Sequence, residues 1–400
     1  MTPTHTPLSL RRMPLVAALL MLCGGAAAQS INIGRCRASL DLDRLWSYNL
    51  YEQSRWGLGG HLTWRDSLTV SAFVGYSVRD LQWKGGAAVD IKLRGTGHPT
   101  LYAAGGRDYF SAASRRLGTT HLTDIGGLSA FMSLRMSDRL FLRAGYRHQV
   151  RRTTLTAEVT AFRGRRLFEG NTLLYLANGD ALRDESGTEL RLAAAHRSGI
   201  TVEMLGATLP QAHRHAVRLL AQYSHDVNAG PFTLSIFAQG GVTAPDIPYI
   251  YMFDLGGTFG APLWFRHTLL TARPVEYTAN IFAFSSLRLR LDKPLFRVYS
   301  TLLAIGSNPH PLVGVNLAWG ALFDPHNGAT TSDGGEQQLW HDGIALTAPT
   351  RGIAEVIAGI DGLVHWGVAD YGVAICLRPW PLETDGHMRR VLLLTAELAL

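Results

Sequence analysis

The chain is poor in several things at once. Only 17% of its 400 residues are charged, against the roughly 25% usual for soluble domains. Lysine is nearly missing, with 3 residues against 35 arginines. Three cysteines exclude a disulfide scaffold. Long apolar runs are confined to one near the start, and mean hydropathy is only +0.05, so a polytopic helical membrane protein is excluded. No Pro/Ser-rich linker and no internal repeat divides the chain. Disorder is excluded as well, because 46% of the residues are apolar. The usual signatures of enzymes are also missing: there is no His-Glu-x-x-His, Gly-x-Ser-x-Gly, P-loop or Cys-x-x-Cys. Gly57-Leu58-Gly59-Gly60 has no βαβ context and is no dinucleotide site. The expectations are no enzymatic chemistry, no cofactor, no metal and no nucleic-acid partner.

The apolar run that is present reads as an export signal. Arg11 and Arg12 form a basic start, Pro14 to Cys23 a short apolar core, and Ala26-Ala27-Ala28 a cleavage motif. Residues 1–28 are therefore expected to be a signal peptide, and its removal lowers the formal charge from +7 to +5. A short periplasmic segment is expected over 29–47 and a barrel over 48–400.

What fills the rest is alternation of period two, the mark of a strand with two different faces. Leu68, Val70, Ala72, Val74 and Tyr76 oppose Thr69, Ser71, Phe73, Gly75 and Ser77. Leu140, Leu142, Ala144 and Tyr146 oppose Arg143, Gly145 and Arg147. Leu155, Ala157, Val159 and Ala161 oppose Thr156, Glu158 and Thr160, and similar segments recur around 128–134, 217–224, 232–239 and 391–400. Turn signals stand at Met136–Asp138, Asn178–Asp180, Asp226–Gly230, Asp361-Gly362 and Thr384–Gly386. Segments of about ten alternating residues between turns predict a transmembrane antiparallel β-barrel, all-β, of about sixteen strands. A secreted β-sandwich also alternates, but its solvated face would hold more Lys and Asp. The low charge content is what a lipid-facing surface requires, since an outward Arg near the midplane costs roughly 2–4 kcal/mol.

A resemblance adds to this reading. Tyr48-Asn49-Leu50-Tyr51-Glu52, Gly57–Gly60, Gly75–Asp80 and Trp83–Gly86 resemble the opening strands of the C-terminal barrel of an uncharacterised outer-membrane family. Longer members of that family carry a carboxypeptidase-regulatory-like domain. Pro248-Tyr249-Ile250, Phe253–Gly257 and Ala272–Tyr277 resemble its later part. The family is distantly similar to the BamA/TamA assembly and translocation superfamily. The resemblance implies a long loop folded into the lumen after a Gly-Gly step. It places Gly256 and Gly257 at that step and Arg266, within Leu263-Trp264-Phe265-Arg266, at the loop's basic position, although His267 stands where the family has glycine. It also implies five strands beyond the loop, near 279–291, 311–322, 351–360, 363–377 and 389–400, with Pro294–Leu303 left ambiguous. The implied location is the outer membrane of a Gram-negative bacterium. The implied partners are lipids and lipopolysaccharide, the barrel assembly machinery during biogenesis, and unknown protein clients. Three readings of function follow: assembly, export or transport; a porin-like passive or gated pore; and an outer-membrane enzyme with its site at a rim.

Three smaller expectations remain. His213-Arg214-His215 reads as a polar loop rather than a metal site. Cys36 and Cys376 should lie near opposite rims, beyond disulfide reach. The arginines could reflect base composition, lumen wiring, or contact of Arg151-Arg152 and Arg163–Arg166 with lipopolysaccharide phosphates.

Overall fold

The computed structural model describes residues 30–41, 46–49, 53–78, 81–110, 136–167, 184–210, 213–245, 247–255, 269–272, 276–300, 305–323, 330–331, 336–341, 344–366, 369–381 and 388–398. Alternating segments become strands here because each can put an apolar face to one side and a polar face to the other. The first half of the wall is β1 (Ser30–Ile33), β2 (Cys36–Leu40), β3 (Trp46–Asn49), β4 (Gln53–Trp64), β5 (Leu68–Ser77), β6 (Trp83–Lys92), β7 (Thr100–Phe110), β8 (Met136–Val150) and β9 (Thr153–Leu167). Then come β10 (Asp184–His196), β11 (Ile200–Leu209), β12 (Arg214–Ala229) and β13 (Phe232–Thr243). Two short strands, β14 (Phe253–Asp254) and β15 (Thr278–Ala279), precede β16 (Ile281–Leu291). A small hairpin, β17 (Val298–Ser300) and β18 (Ile305–Ser307), leads to β19 (His310–Ala321). A separate three-stranded sheet, β20 (Thr330–Thr331), β21 (Gln337–His341) and β22 (Ile344–Ala348), comes before β23 (Ile353–Trp366), β24 (Ala369–Trp380) and β25 (Arg389–Leu398).

Each long strand pairs antiparallel with the next long strand in the chain. β3 pairs with residues 53–56 of β4, and β2 with residues 60–64, so the two act as one interrupted strand. Counted that way, the described residues hold sixteen wall strands, with β1 as a short addition on the edge. Five of them, β16, β19, β23, β24 and β25, follow the long connection after β13, as the resemblance implied. Among the described residues no ladder joins β25 to the first strands, which form the two edges of this sheet.

The burial pattern is the reverse of a soluble protein's. Leu58, Leu62, Val74, Leu140, Leu142, Val159, Leu192, Val217, Val313 and Ile375 are exposed. On the opposite face, Arg55, Lys84, Arg139, Glu158, Glu189, Arg191, Glu203, Arg218 and Glu355 are buried. Outward-facing Trp56, Trp83, Trp319 and Trp380 stand toward one end and Trp64 and Tyr146 toward the other. Trp56 and Trp64 share a strand, and eight residues at about 3.3 Å each, tilted near 40°, separate them by about 20 Å along the axis. Such a belt fits a bilayer's hydrocarbon layer. Substituting Leu142→Arg, which is 67% exposed midway along β8, is expected to lower folding stability in lipid vesicles by about 2–4 kcal/mol. Vesicle refolding titrations against wild type measure this, and a neutral result would remove lipid from that face.

The two ends differ. One has mostly short turns, such as Arg65–Ser67, Arg151-Arg152 and Gly230-Pro231, together with the β17–β18 hairpin; the other carries the connections of residues 111–135, 168–183, 244–280 and 322–352. This places Arg151 and Arg152 at the short-turn end, whereas exposed Arg163 lies outward near the opposite end.

Several boundaries differ from the sequence reading. Residues 30–40, read as part of a segment ahead of the barrel, pair into the sheet through β1, β2 and β4. Met136–Asp138 is not a turn: it lies within β8, because Asp138 points inward and pairs with Arg107 at 2.6 Å. Asp226–Ala229 continues β12, and the turn starts only at Gly230. Asp361-Gly362 sits inside β23 as a bulge, where Gly362 adopts φ +67° and the register shifts between Ile360 and Val364. A positive-φ glycine absorbs the extra residue without ending the strand, and Asp361 is held by Arg288. The strand expected over 363–377 is therefore β24, starting at Ala369. Pro294–Leu303 contains β17 of the small hairpin. Asn178–Asp180, Thr384–Gly386 and the strand at 128–134 lie outside the described residues.

Candidate functional site: a filled and charge-wired lumen

The described residues of the connection between β13 and β16 pack against the inward face of the wall. Of these, Ile247, Tyr249, Tyr251 and Met252 are fully buried, and Leu255, Leu269, Leu270 and Tyr277 nearly so. A soluble protein builds its core between layers, but this chain builds it between wall and loop. Tyr249, Tyr251 and Met252 pack with Phe162, Leu205, Leu209 and Ala216 of the wall and with Leu339 and Leu346 of the small sheet. Phe253, Leu255, Leu269 and Tyr277 pack with Phe237, Phe282, Phe284 and Ile353. At roughly 1.5–3 kcal/mol for each large apolar side chain, this burial holds the segment firmly. Close approach is permitted by Gly241 of β13: a β-carbon there would lie 2.4 Å from the Phe253 ring.

Polar anchors fix the same segment. The Glu355 carboxylate of β23 accepts from the backbone N–H of Leu270 (3.0 Å) and Thr271 (2.7 Å), from the Thr271 hydroxyl (2.6 Å) and from Asn316 Nδ2 (2.9 Å). Arg389, the first residue of β25, donates to the Thr271 carbonyl at 2.9 Å and to both Glu276 oxygens. Tyr251 donates to Glu189 at 2.8 Å, and His341 Nε2 meets the Ile247 carbonyl at 2.7 Å. Tyr277 donates to Glu336 at 3.0 Å. Burial, and then the adjacent Glu276 carboxylate, raises its phenol pKa, so it keeps the proton.

The rest of the inward face is wired by arginine. Arg55 meets Asp108 at 2.6 Å, Arg139 meets Glu189 at 2.7 Å, and Glu203 lies between Arg191 and Arg218. For these residues the lumen-wiring reading of the arginine excess holds. Planar guanidinium groups suit it, because they bind carboxylates while stacking on rings; Arg139 lies 3.8 Å from the Phe162 ring centroid. A row across three strands shows how a small residue serves the wiring. Tyr102 pairs with Gly145, which pairs with Glu158, and the phenol reaches over the glycine to donate to Glu158 at 2.9 Å. A β-carbon on Gly145 would meet the phenol at 2.2 Å. Gly145→Ala is expected to break the Tyr102–Glu158 bond and cost about 1–3 kcal/mol. Urea unfolding of Gly145→Ala beside a Tyr102→Ala, Gly145→Ala pair measures it: the second substitution should cost much less in the Gly145→Ala background than alone, because the ring that clashes is gone.

Among the sequence-derived site residues, Gly256, Gly257 and Arg266 lie outside the described residues, although residues on both sides of them line the lumen. His213 takes a turn conformation at φ +52° and His215 faces outward, exposed, within β12. No cluster of metal-binding side chains occurs among the described residues. Cys36 and Cys376 are free thiols, Cys36 at the short-turn end opposite Trp64 and Cys376 within β24 opposite Ile357. Glu355 and Arg389, the anchors of the lumen segment, carried no sequence signal: each is one polar residue in an alternating strand.

A filled lumen, sixteen wall strands and five strands after the filling connection invite comparison with known barrels. The crystal structure of BamA from Haemophilus ducreyi lacking POTRA domains 1–3 is similar over 99% of this chain and 80% of that one, with a TM-score of 0.51 and 7% identity. The fold is the BamA-type β-barrel. No family model and no curated protein matches the sequence. At 7% identity the likeness lies in architecture, so the anchors described above are read from this chain alone.

Proposed function

We propose that this protein resides in the outer membrane of a Gram-negative bacterium and assists the insertion or export of other proteins, rather than serving as a passive pore. The observation that carries this reading is the connection of residues 244–280. Its described part occupies the lumen and is bound to β23 by Glu355 and to β25 by Arg389. A passive pore needs a water-filled lumen, and this one is packed with Tyr249, Tyr251, Met252 and Leu269. The anchor at Arg389 supports a role for the terminal strand, because it couples the filling to a strand at the edge of the sheet. Short turns face the periplasm in such barrels, which puts the long connections and Arg163 toward lipopolysaccharide and Arg151-Arg152 on the periplasmic side. The chain itself would enter the membrane through the barrel assembly machinery.

The test is reconstitution. In planar bilayers the wild-type protein is expected to give small, flickering events, and in vesicles it should accelerate the folding of an added outer-membrane barrel. Steady, large conductance without any effect on client folding would replace this reading with a pore.

A further inference from the structure

We propose that Ser39, His61 and Asp41 form a serine-nucleophile triad on the lumen wall, giving the protein an ester-hydrolysing activity. The site lies near the short-turn end, on strands β2 and β4. The antiparallel register sets Ser39 directly opposite His61. Ser39 Oγ lies 2.5 Å from His61 Nε2, and His61 Nδ1 lies 3.0 Å from Asp41 Oδ1. Each ring nitrogen thus faces the partner that acyl-transfer chemistry needs: the nucleophile on one side and an orienting carboxylate on the other. With its proton on Nδ1, the imidazole donates to Asp41 and accepts the hydroxyl proton at Nε2.

The surroundings fit that use. Along β4, Trp56, Leu58, Leu62 and Trp64 face outward and are exposed, while Arg55, Gly59 and His61 belong to the inward face. Ser39 is nearly buried, whereas the His61 and Asp41 side chains are 37% and 22% exposed, so water reaches the base. Two residues along the same face, the Thr63 and Thr69 hydroxyls share a hydrogen bond of 3.2 Å, and Ser71 stands opposite His61 in β5. The site is therefore polar and lies on the lumen face of the wall. It is turned away from the lipid that Leu58 and Leu62 contact. The substrate class this placement selects is a water-borne carboxylic ester entering from the short-turn end, not a bilayer lipid.

The chemistry balances without a cofactor. Ser39 Oγ attacks the ester carbonyl carbon as its proton passes to His61 Nε2. The tetrahedral adduct collapses, the C–O bond to the alcohol breaks, and the leaving oxygen takes the proton from His61. Water then attacks the acyl-Ser39 ester, giving its proton to His61, and the acid departs as Ser39 recovers its proton. Ester and water become acid and alcohol. Asp41 accepts the Nδ1–H hydrogen bond throughout and so orients the ring and stabilises the imidazolium.

The experiment uses the full chain folded in detergent micelles, with folding verified by heat-modifiable gel mobility. It is treated with a fluorophosphonate, mapped by peptide mass spectrometry, and assayed with p-nitrophenyl butyrate. The expected result is one phosphonyl adduct, on Ser39, together with ester turnover. Ser39→Ala should lose both, and His61→Gln and Asp41→Asn should react at least about 100-fold more slowly with unchanged gel mobility. A folded wild-type protein without an adduct on Ser39 overturns the proposal, as does labelling at Ser39 that His61→Gln leaves unchanged. The wild-type adduct decides the matter even if a variant fails to fold. This outcome is independent of the conductance and client-folding results.

Discussion

Replacing Glu355 with alanine is expected to release the lumen segment while leaving the wall in place. Four donors now end on that one carboxylate: two backbone N–H groups, a hydroxyl and an amide. All four belong to buried residues. A buried donor left unsatisfied costs about 1–3 kcal/mol, so the loss amounts to about 3–9 kcal/mol even if one donor finds water. The wall strands do not depend on this carboxylate, since their ladders are backbone bonds. The segment does depend on it. Glu355→Ala should therefore keep heat-modifiable mobility, lower the urea midpoint, and turn small flickering conductance into steady, larger conductance. Glu355→Gln keeps one acceptor oxygen but turns an amide toward the donors, and it should fall between. Unchanged conductance in a destabilised Glu355→Ala barrel would show that the apolar packing of Tyr249, Tyr251 and Leu269 holds the filling alone.

Cutting the buried pair of Arg139 and Glu189 should be the second large effect. Both side chains are 2% exposed, 2.7 Å apart, and Tyr251 of the lumen segment donates to the same carboxylate. Removing one partner leaves the other charge buried without its counter-ion, a loss of about 3–5 kcal/mol. Replacing both with apolar residues of similar size removes both desolvation costs along with the attraction, and is often close to neutral. Arg139→Met and Glu189→Leu should each lower stability sharply, and the double variant should recover most of it. A double-mutant cycle by urea unfolding in micelles measures the coupling. Additive losses would mean that each side chain is held mainly by its other neighbours, such as the Phe162 ring beneath Arg139.

At β5 and β9 the alternation named both faces residue by residue: Val74 and Val159 are exposed, Ser77 and Glu158 buried. At β8 and β23 the alternation gives the strands but not their ends. Ser137-Asp138 and Asp361-Gly362 are turn-forming residues in water, yet in a lumen the aspartates are paired by Arg107 and Arg288 and the ladder runs through them. The resemblance implies the five strands that follow the long connection, but not what anchors that connection's described residues. Glu355, Arg389 and the Ser39–His61–Asp41 chain each join residues from separate strands or from strand and loop, and no spacing in the sequence joins them.

The sequence by itself determined the architecture: period two, scarce charge and the lack of long apolar runs beyond residue 28 leave a barrel with an apolar outer face and a polar lumen. The tertiary structure decided what the lumen holds. Which inward arginine meets which carboxylate depends on the register between neighbouring strands. Whether a loop fills the space depends on how closely small residues such as Gly241 let it approach the wall. Both are set by packing between residues far apart in the chain, which alternation along a single strand does not encode.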